Sequence, residues 1–150
     1  MENIHVSSAS SRPSSAFIGA SWVALLAGVL FYCVGLWNLD PKLAVMSEKG
    51  YYFVVLLYGL FSAVSIQKSV RDRLEGIPVS NLYYGISWLS VGLSILLLFI
   101  GLWNASFDNI YKSFFGIAFL MALFASIAVQ KNVRDMATYR RLNPNAELSE

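Results

Sequence analysis

At 150 residues the chain has the length of one domain, yet 57% of it is hydrophobic and only 13% is charged. A soluble fold of this size cannot hide so much apolar surface, and a net charge of +2 is too small to favour a nucleic-acid partner. The single cysteine, Cys33, excludes an intrachain disulfide, and with only His5 beside it the chain offers no Cys/His metal set.

The first 16 residues are rich in serine and read as a disordered tail. Four charge-free stretches follow, Ala16–Trp37, Gly50–Gln67, Asn81–Trp103 and Ser113–Gln130. Each is close to the ~20 residues with which a helix crosses a hydrocarbon core of ~30 Å. The second and fourth are short, but Tyr, Phe, Gln and Lys at their flanks suit the headgroup region. In lipid every backbone group must be bonded internally, so helices are expected; the runs lack the alternating polarity of a barrel strand. The first stretch is too long for a signal peptide and no A-x-A-like site follows it. The third stretch resembles a copy of the first, which a cleaved leader would not have.

That copy extends further. At a shift of 66, Gly19, Ser21 and Trp22 fall on Gly85, Ser87 and Trp88, and Gly35-Leu36-Trp37-Asn38 falls on Gly101-Leu102-Trp103-Asn104. Three residues are then absent from the second copy. At a shift of 63, Gln67-Lys68-x-Val70-Arg71-Asp72 falls on Gln130-Lys131-x-Val133-Arg134-Asp135, and Lys49, Leu57, Leu60 and Phe61 recur as Lys112, Leu120, Leu123 and Phe124. Both windows match far above the roughly one or two chance identities expected at average residue usage. The expected fold class is therefore an all-α integral membrane protein, with four transmembrane helices as two parallel-oriented two-helix repeats. Its parts are a cytoplasmic tail (1–16), a first repeat at 17–78 with helices near 16–37 and 50–75, a second at 81–142 with helices near 81–103 and 113–138, and a C-terminal tail at 143–150. An even number of spans per unit gives both the same orientation, unlike the inverted repeats of many transporters.

Eight cations, Arg12, Lys68, Arg71, Arg73, Lys131, Arg134, Arg140 and Arg141, fall on the side of the termini and the middle loop, against Lys42, Lys49 and Lys112 on the other. The positive-inside rule places the first side in the cytoplasm.

Together Gly35-Leu36-Trp37-Asn38, Ser47-Glu48-Lys49-Gly50-Tyr51-Tyr52-Phe53 and the Gln-Lys-x-Val-Arg-Asp motif resemble the YiaA/YiaB family of bacterial inner-membrane proteins, over roughly 17–135 and closest to its YiaA branch. The resemblance implies an inner-membrane location and a yiaAB two-helix domain present twice. It implies no catalytic residue, cofactor or substrate. Within the chain, Glu48 has no acidic counterpart, because Ile110-Tyr111-Lys112-Ser113 stands where the first copy has Ser47-Glu48-Lys49-Gly50.

Three repeated features are candidate sites. Gln67, Lys68, Arg71, Asp72, Gln130, Lys131, Arg134 and Asp135 end the second helix of each unit. Their basic residues suit a helix C-terminus and anionic lipid, and Lys68/Asp72, Arg71/Glu75 and Lys131/Asp135 have i,i+4 spacing. Because Gln and Asp recur along with the charge, the motif is also a candidate contact for a lipid headgroup or partner protein. Ile66, Val70 and Leu74 continue an apolar stripe that Gly76 and Pro78 end. Trp37, Asn38, Trp103 and Asn104 read as interfacial anchors and helix caps. The small-xxx-small pairs Ala24/Gly28, Gly59/Ala63, Ser90/Ser94 and Ala122/Ser126 give both helices of each unit a packing seam, which predicts a tight four-helix bundle.

No Asp, Glu, Lys, Arg or His lies inside any stretch, whereas proton- or cation-coupled transporters keep such a group at membrane depth. The acidic residue on which small four-helix drug exporters depend is missing. The expected role is non-enzymatic, through contacts with lipid or other membrane proteins, without cofactor or metal. The alternative is a small channel or facilitator, as an oligomer in one form, lined by Ser21, Ser62, Ser65, Ser87, Ser90, Ser94 and Ser126. Such serines more often bond their own helix or a neighbour.

Overall fold

The computed structural model describes residues 12–144. The tail expected to be disordered falls, for 1–11 and His5, outside the described residues, as does 145–150. Four helices follow in order: α1 (Ser15–Asn38), α2 (Met46–Leu74), α3 (Asn81–Asn104) and α4 (Asn109–Leu142). Each is long and apolar enough to cross a membrane, and no strand occurs among the described residues.

The boundaries have local causes. Ser14 and Ser80, equivalent in the two repeats, precede α1 and α3, and their hydroxyls accept the amide N–H of Phe17 and Tyr83. Both α2 and α4 start four residues before their charge-free stretches. At α2 the Glu48 carboxylate accepts the Val45 N–H at 3.0 Å and fixes the early start. After Leu74 the chain closes a Schellman turn, Ile77 N–H to the Asp72 carbonyl and Gly76 N–H to Arg73, with Gly76 at φ +74°. A side chain would be strained at that φ, so the expected stop at Gly76 has its physical cause.

Three of the joints define two ends. The tail end carries the termini and the α2–α3 loop, and the short-loop end carries residues 39–45 and 105–108. The three residues missing from the second repeat are the difference between these two loops.

Packing departs from the expected pair of hairpins with internal seams. α1 packs on α4 and α3 packs on α2, while α2 and α4 lie together in the middle; within a unit the two helices scarcely touch. The repeats are crossed, each placing its first helix against the second helix of the other. The seam residues themselves are where they were expected. Gly28, Gly59, Ala63, Ser94, Ala122 and Ser126 are buried, and Ala24 and Ser90 are half-buried. What differs is the partner. A Cβ on Gly28 would stand 2.8 Å from the backbone nitrogen of Ala122, so the α1 and α4 backbones approach as closely as glycine permits. Gly59 faces the Phe119 ring and Leu123 of α4 instead, across the central α2–α4 contact.

The core follows the same crossing. Gly35 of α1 receives the rings of Phe114 and Phe115 from α4, and its equivalent Gly101 of α3 receives Tyr51 and Tyr52 from α2. Tyr52 and Phe115, also equivalent, converge on Phe107, with Tyr32 edge-on to Phe115 at 5.6 Å. The Tyr32 hydroxyl donates to the Tyr52 carbonyl at 3.0 Å, so its buried polar tip is bonded. Many large apolar side chains on the outer faces of α1 and α3 are exposed, as helices bordering lipid require.

Candidate functional site

The two Gln-Lys-x-Val-Arg-Asp motifs lie side by side at the tail end because α2 and α4 run parallel in the centre. Their charges interlock across the repeats. Arg71 Nη1 is 2.5 Å from Asp135 Oδ1, and Arg134 Nη2 is 2.9 Å from Asp72 Oδ1. The expected i,i+4 pairs are present as well, Lys68 with Asp72, Lys131 with Asp135 and Arg71 with Glu75. Glu75 also accepts from Arg134 at 3.0 Å and so bridges both arginines. Its equivalent is Thr138, whose hydroxyl turns back to the Arg134 carbonyl. The clasp thus holds four cations around three carboxylates and keeps one excess positive charge.

The arginine side chains are 23% exposed and committed to the clasp, whereas those of Lys68 and Lys131 are 57% exposed. Both aspartates lie beyond the apolar stretches. Hydrogen bonding from Lys68, joined by Arg134 and opposed by burial, holds the Asp72 carboxyl below its ordinary range. Burial works to raise Asp135, but the hydrogen bonds and charges of Lys131 and Arg71 bring it below that range too. Nearby, Arg73 lies over the Tyr84 ring at 3.8 Å and donates to Asn81, tying the α2 end to the α3 start.

One level deeper, two buried polar pairs repeat the crossing. Asn132 Nδ2 of α4 donates to the Ser21 hydroxyl of α1 at 3.1 Å, and the equivalent residues Ser69 and Ser87 join α2 to α3 at 3.3 Å. Interhelical bonds of this kind are worth ~0.6 kcal/mol each in membrane proteins. The oxygen atoms Gln67 Oε1 and Asn132 Oδ1 are buried here with no bonded partner among the described residues. Of the serines weighed as a polar path, Ser21, Ser62, Ser87, Ser94 and Ser126 donate to carbonyls of their own helices.

At the short-loop end Trp37 and Trp103 point outward, 64% and 74% exposed. The asparagines beside them are the last helical residues, and the cap positions are Leu39 and Ala105 in extended conformation. Asn38 and Asn104 act by their side chains instead, each donating Nδ2 at 2.8 Å to the carbonyl four residues back. This replaces the expected asparagine C-cap, because extended Leu39 and Ala105 carry the chain away. Lys49 folds inward, and its ammonium donates to the carbonyls of Trp37 at 3.0 Å and Leu39 at 2.6 Å, closing the C-terminus of α1.

The sequence reading missed four contributors: Lys49 as a cap, Glu75 as a bridge, Gly35/Gly101 as ring seats, and the Ser69/Asn132 level. For the ring seats two signals existed. Gly35 and Gly101 recur within an identical tetrapeptide, and aromatic pairs stand at the equivalent positions Tyr51-Tyr52 and Phe114-Phe115.

Four apolar helices in two crossed pairs, held by matched polar and charged levels, define an integral membrane protein built from a duplicated two-helix unit. The chain belongs to the yiaA/B two-helix domain family, whose model matches it twice, at residues 17–72 and 83–135. It is 48% identical over 134 residues to the inner membrane protein YiaA of Escherichia coli, covering 89% of this chain and 88% of that protein. Similarity to the inner membrane protein YiaB of Escherichia coli is 31% over 100 residues, 67% of this chain and 82% of that one. To the uncharacterized membrane protein YubF of Bacillus subtilis it is 34% over 64 residues, 43% of this chain and 71% of that one. No solved structure matches the chain.

Proposed function

We propose that the protein performs no chemistry of its own and acts by contact, presenting its tail end, in the cytoplasm, to lipid headgroups or other membrane proteins. The observation that carries this reading is the asymmetry of the clasp. Arg71 and Arg134 lock the helix ends against Asp135 and Asp72, while Lys68 and Lys131, each held by the aspartate of its own helix, keep more of their side chains exposed beside Gln67 and Gln130. Basic side chains near a membrane surface attract anionic lipid at ~1 kcal/mol each. Weighing against a conduit are the serine hydroxyls, most of which are bonded to their own helices.

The test is extraction in native lipid patches, comparing the wild type with Lys68→Gln/Lys131→Gln, which leaves the arginine–aspartate pairs in place. Loss of a co-purifying anionic lipid or protein is the expected result. An unchanged set of companions would reduce the lysines to topological anchors. A reporter fused to the C-terminus must be active only in the cytoplasm; activity on the opposite side would reverse the orientation.

A further inference from the structure

The two repeats differ most at the short-loop end. In each, an open cavity is lined by equivalent positions: Trp37, Met46 and Lys49 in the first repeat, Trp103, Asn109 and Lys112 in the second. In the first, the longer loop adds Pro41 and Ala44 to the wall and the cavity measures about 290 Å³. Its lysine is buried and bonded to two carbonyls. In the second, three loop residues are absent and the cavity widens to about 470 Å³, within the ~300–1,000 Å³ of small-ligand sites.

The wider cavity has two chemically distinct sides. Phe99, Leu102 and Trp103 form an apolar wall, and Phe99 and Trp103, 5.7 Å apart, face outward where lipid lies. Asn109, Lys112 and Ser113 form a polar rim. No carboxylate is within ion-pair distance of Lys112 among the described residues. Asp108, one turn earlier, gives Lys112 only its backbone carbonyl, to the amide N–H. The first repeat therefore has its cation internally bonded, and the second presents it beside a hydrophobic wall open to the bilayer.

We propose that this groove seats the phosphate of an anionic phospholipid from the leaflet on the short-loop side. Lys112 faces the phosphate, Asn109 and Ser113 donate hydrogen bonds, and Phe99 and Trp103 flank the upper acyl chain. An ammonium at headgroup depth complements phosphate charge, and an aromatic wall at the same depth accommodates the chain below it. A water-borne anion would gain nothing from that wall. The inference is independent of the lysines at the tail end.

The experiment places the full chain in vesicles of phosphatidylcholine containing a photoreactive phosphatidylglycerol and maps the labelled peptides. Labelling should concentrate on the 99–113 segment over 37–49. It should fall about fivefold in Lys112→Gln, recover in Lys112→Arg, and stay unchanged in Lys68→Gln/Lys131→Gln. Helix content by circular dichroism must match the wild type, and Lys112→Arg reports on the site should Lys112→Gln fold poorly. Equal labelling of both grooves, or indifference to residue 112, would overturn the proposal. So would displacement by inorganic phosphate alone, which would point to a soluble anion.

Discussion

The tail end and the short-loop end obey the same repeat but treat it differently. At the tail end equivalent residues bond across the two copies: Arg71 to Asp135 and Arg134 to Asp72, with Ser21/Asn132 and Ser69/Ser87 beneath. At the short-loop end each copy closes its own turn, Lys49 within the first repeat and a shorter loop in the second. An interaction that needs both copies ties their sequences together, because a change in one motif removes a bond from the other. A turn closed within one copy is free to diverge, and it has.

The contrast is easiest to break at the closest helix approach. Gly28→Leu would push a side chain into the Ala122 backbone, which cannot swing aside as a side chain can. A loss of ~3 kcal/mol or more is expected, at the upper end of overpacking costs. Gly85→Leu, where a Cβ meets nothing within 4 Å, should stay within ~0.5 kcal/mol of wild type. Thermal unfolding in detergent compares them, and equal effects would mean that α1 does not cross α4 at this point.

Lys49→Gln should come next. It removes a buried ammonium from two carbonyls, and hydrogen bonds to charged groups are worth ~1.5–3 kcal/mol. Lys112→Gln should change stability by less than ~0.5 kcal/mol, which sharpens the difference between the two loops. Equal losses at both lysines would restore the symmetry that the structure lacks there.

The clasp gives smaller effects because its arginines are partly exposed. Arg71→Asp and Asp135→Arg should each destabilise, and the double variant should recover ~0.5–1 kcal/mol in a double-mutant cycle. Acid should act on the same bonds. The folded-state carboxyls of Asp72 and Asp135 lie below their ordinary range, so their contribution is complete above the unfolded value near ~3.9 and is lost as pH falls through the lower folded values. Melting temperature should therefore drop below about pH 4, and less steeply in Arg71→Gln/Arg134→Gln. An acid limb of unchanged slope in that variant would assign the transition to other carboxylates.

Much of this was written in the chain as local pattern. Uncharged length marked the four spans, identity at two shifts marked the repeat, and i,i+4 spacing marked Lys68/Asp72 and Lys131/Asp135. The seam residues were legible too, but a small residue announces a close approach without naming the helix that approaches. With Gly28, Gly59 and Ala122 on matched faces, pairing within a hairpin and pairing across hairpins satisfy the same pattern. Short loops suggest the hairpin, and the aromatic pairs seated on Gly35 and Gly101 select the crossing. The cross-pairs of the clasp were hidden for the same reason, since Arg71, Asp72 and Asp135 each had a partner in their own helix, and only Arg134, with Thr138 at i+4, was left without one.

Cysteine cross-linking tests the crossing most directly. In a Cys33→Ser background, Ser21→Cys/Asn132→Cys and Ser69→Cys/Ser87→Cys should oxidise to intramolecular disulfides, because these side chains already meet across α1–α4 and α2–α3. Ser21→Cys/Ser69→Cys, within one repeat, should remain reduced. Efficient linkage of that last pair, with the first two unreactive, would contradict the crossed arrangement and return the molecule to two separate hairpins.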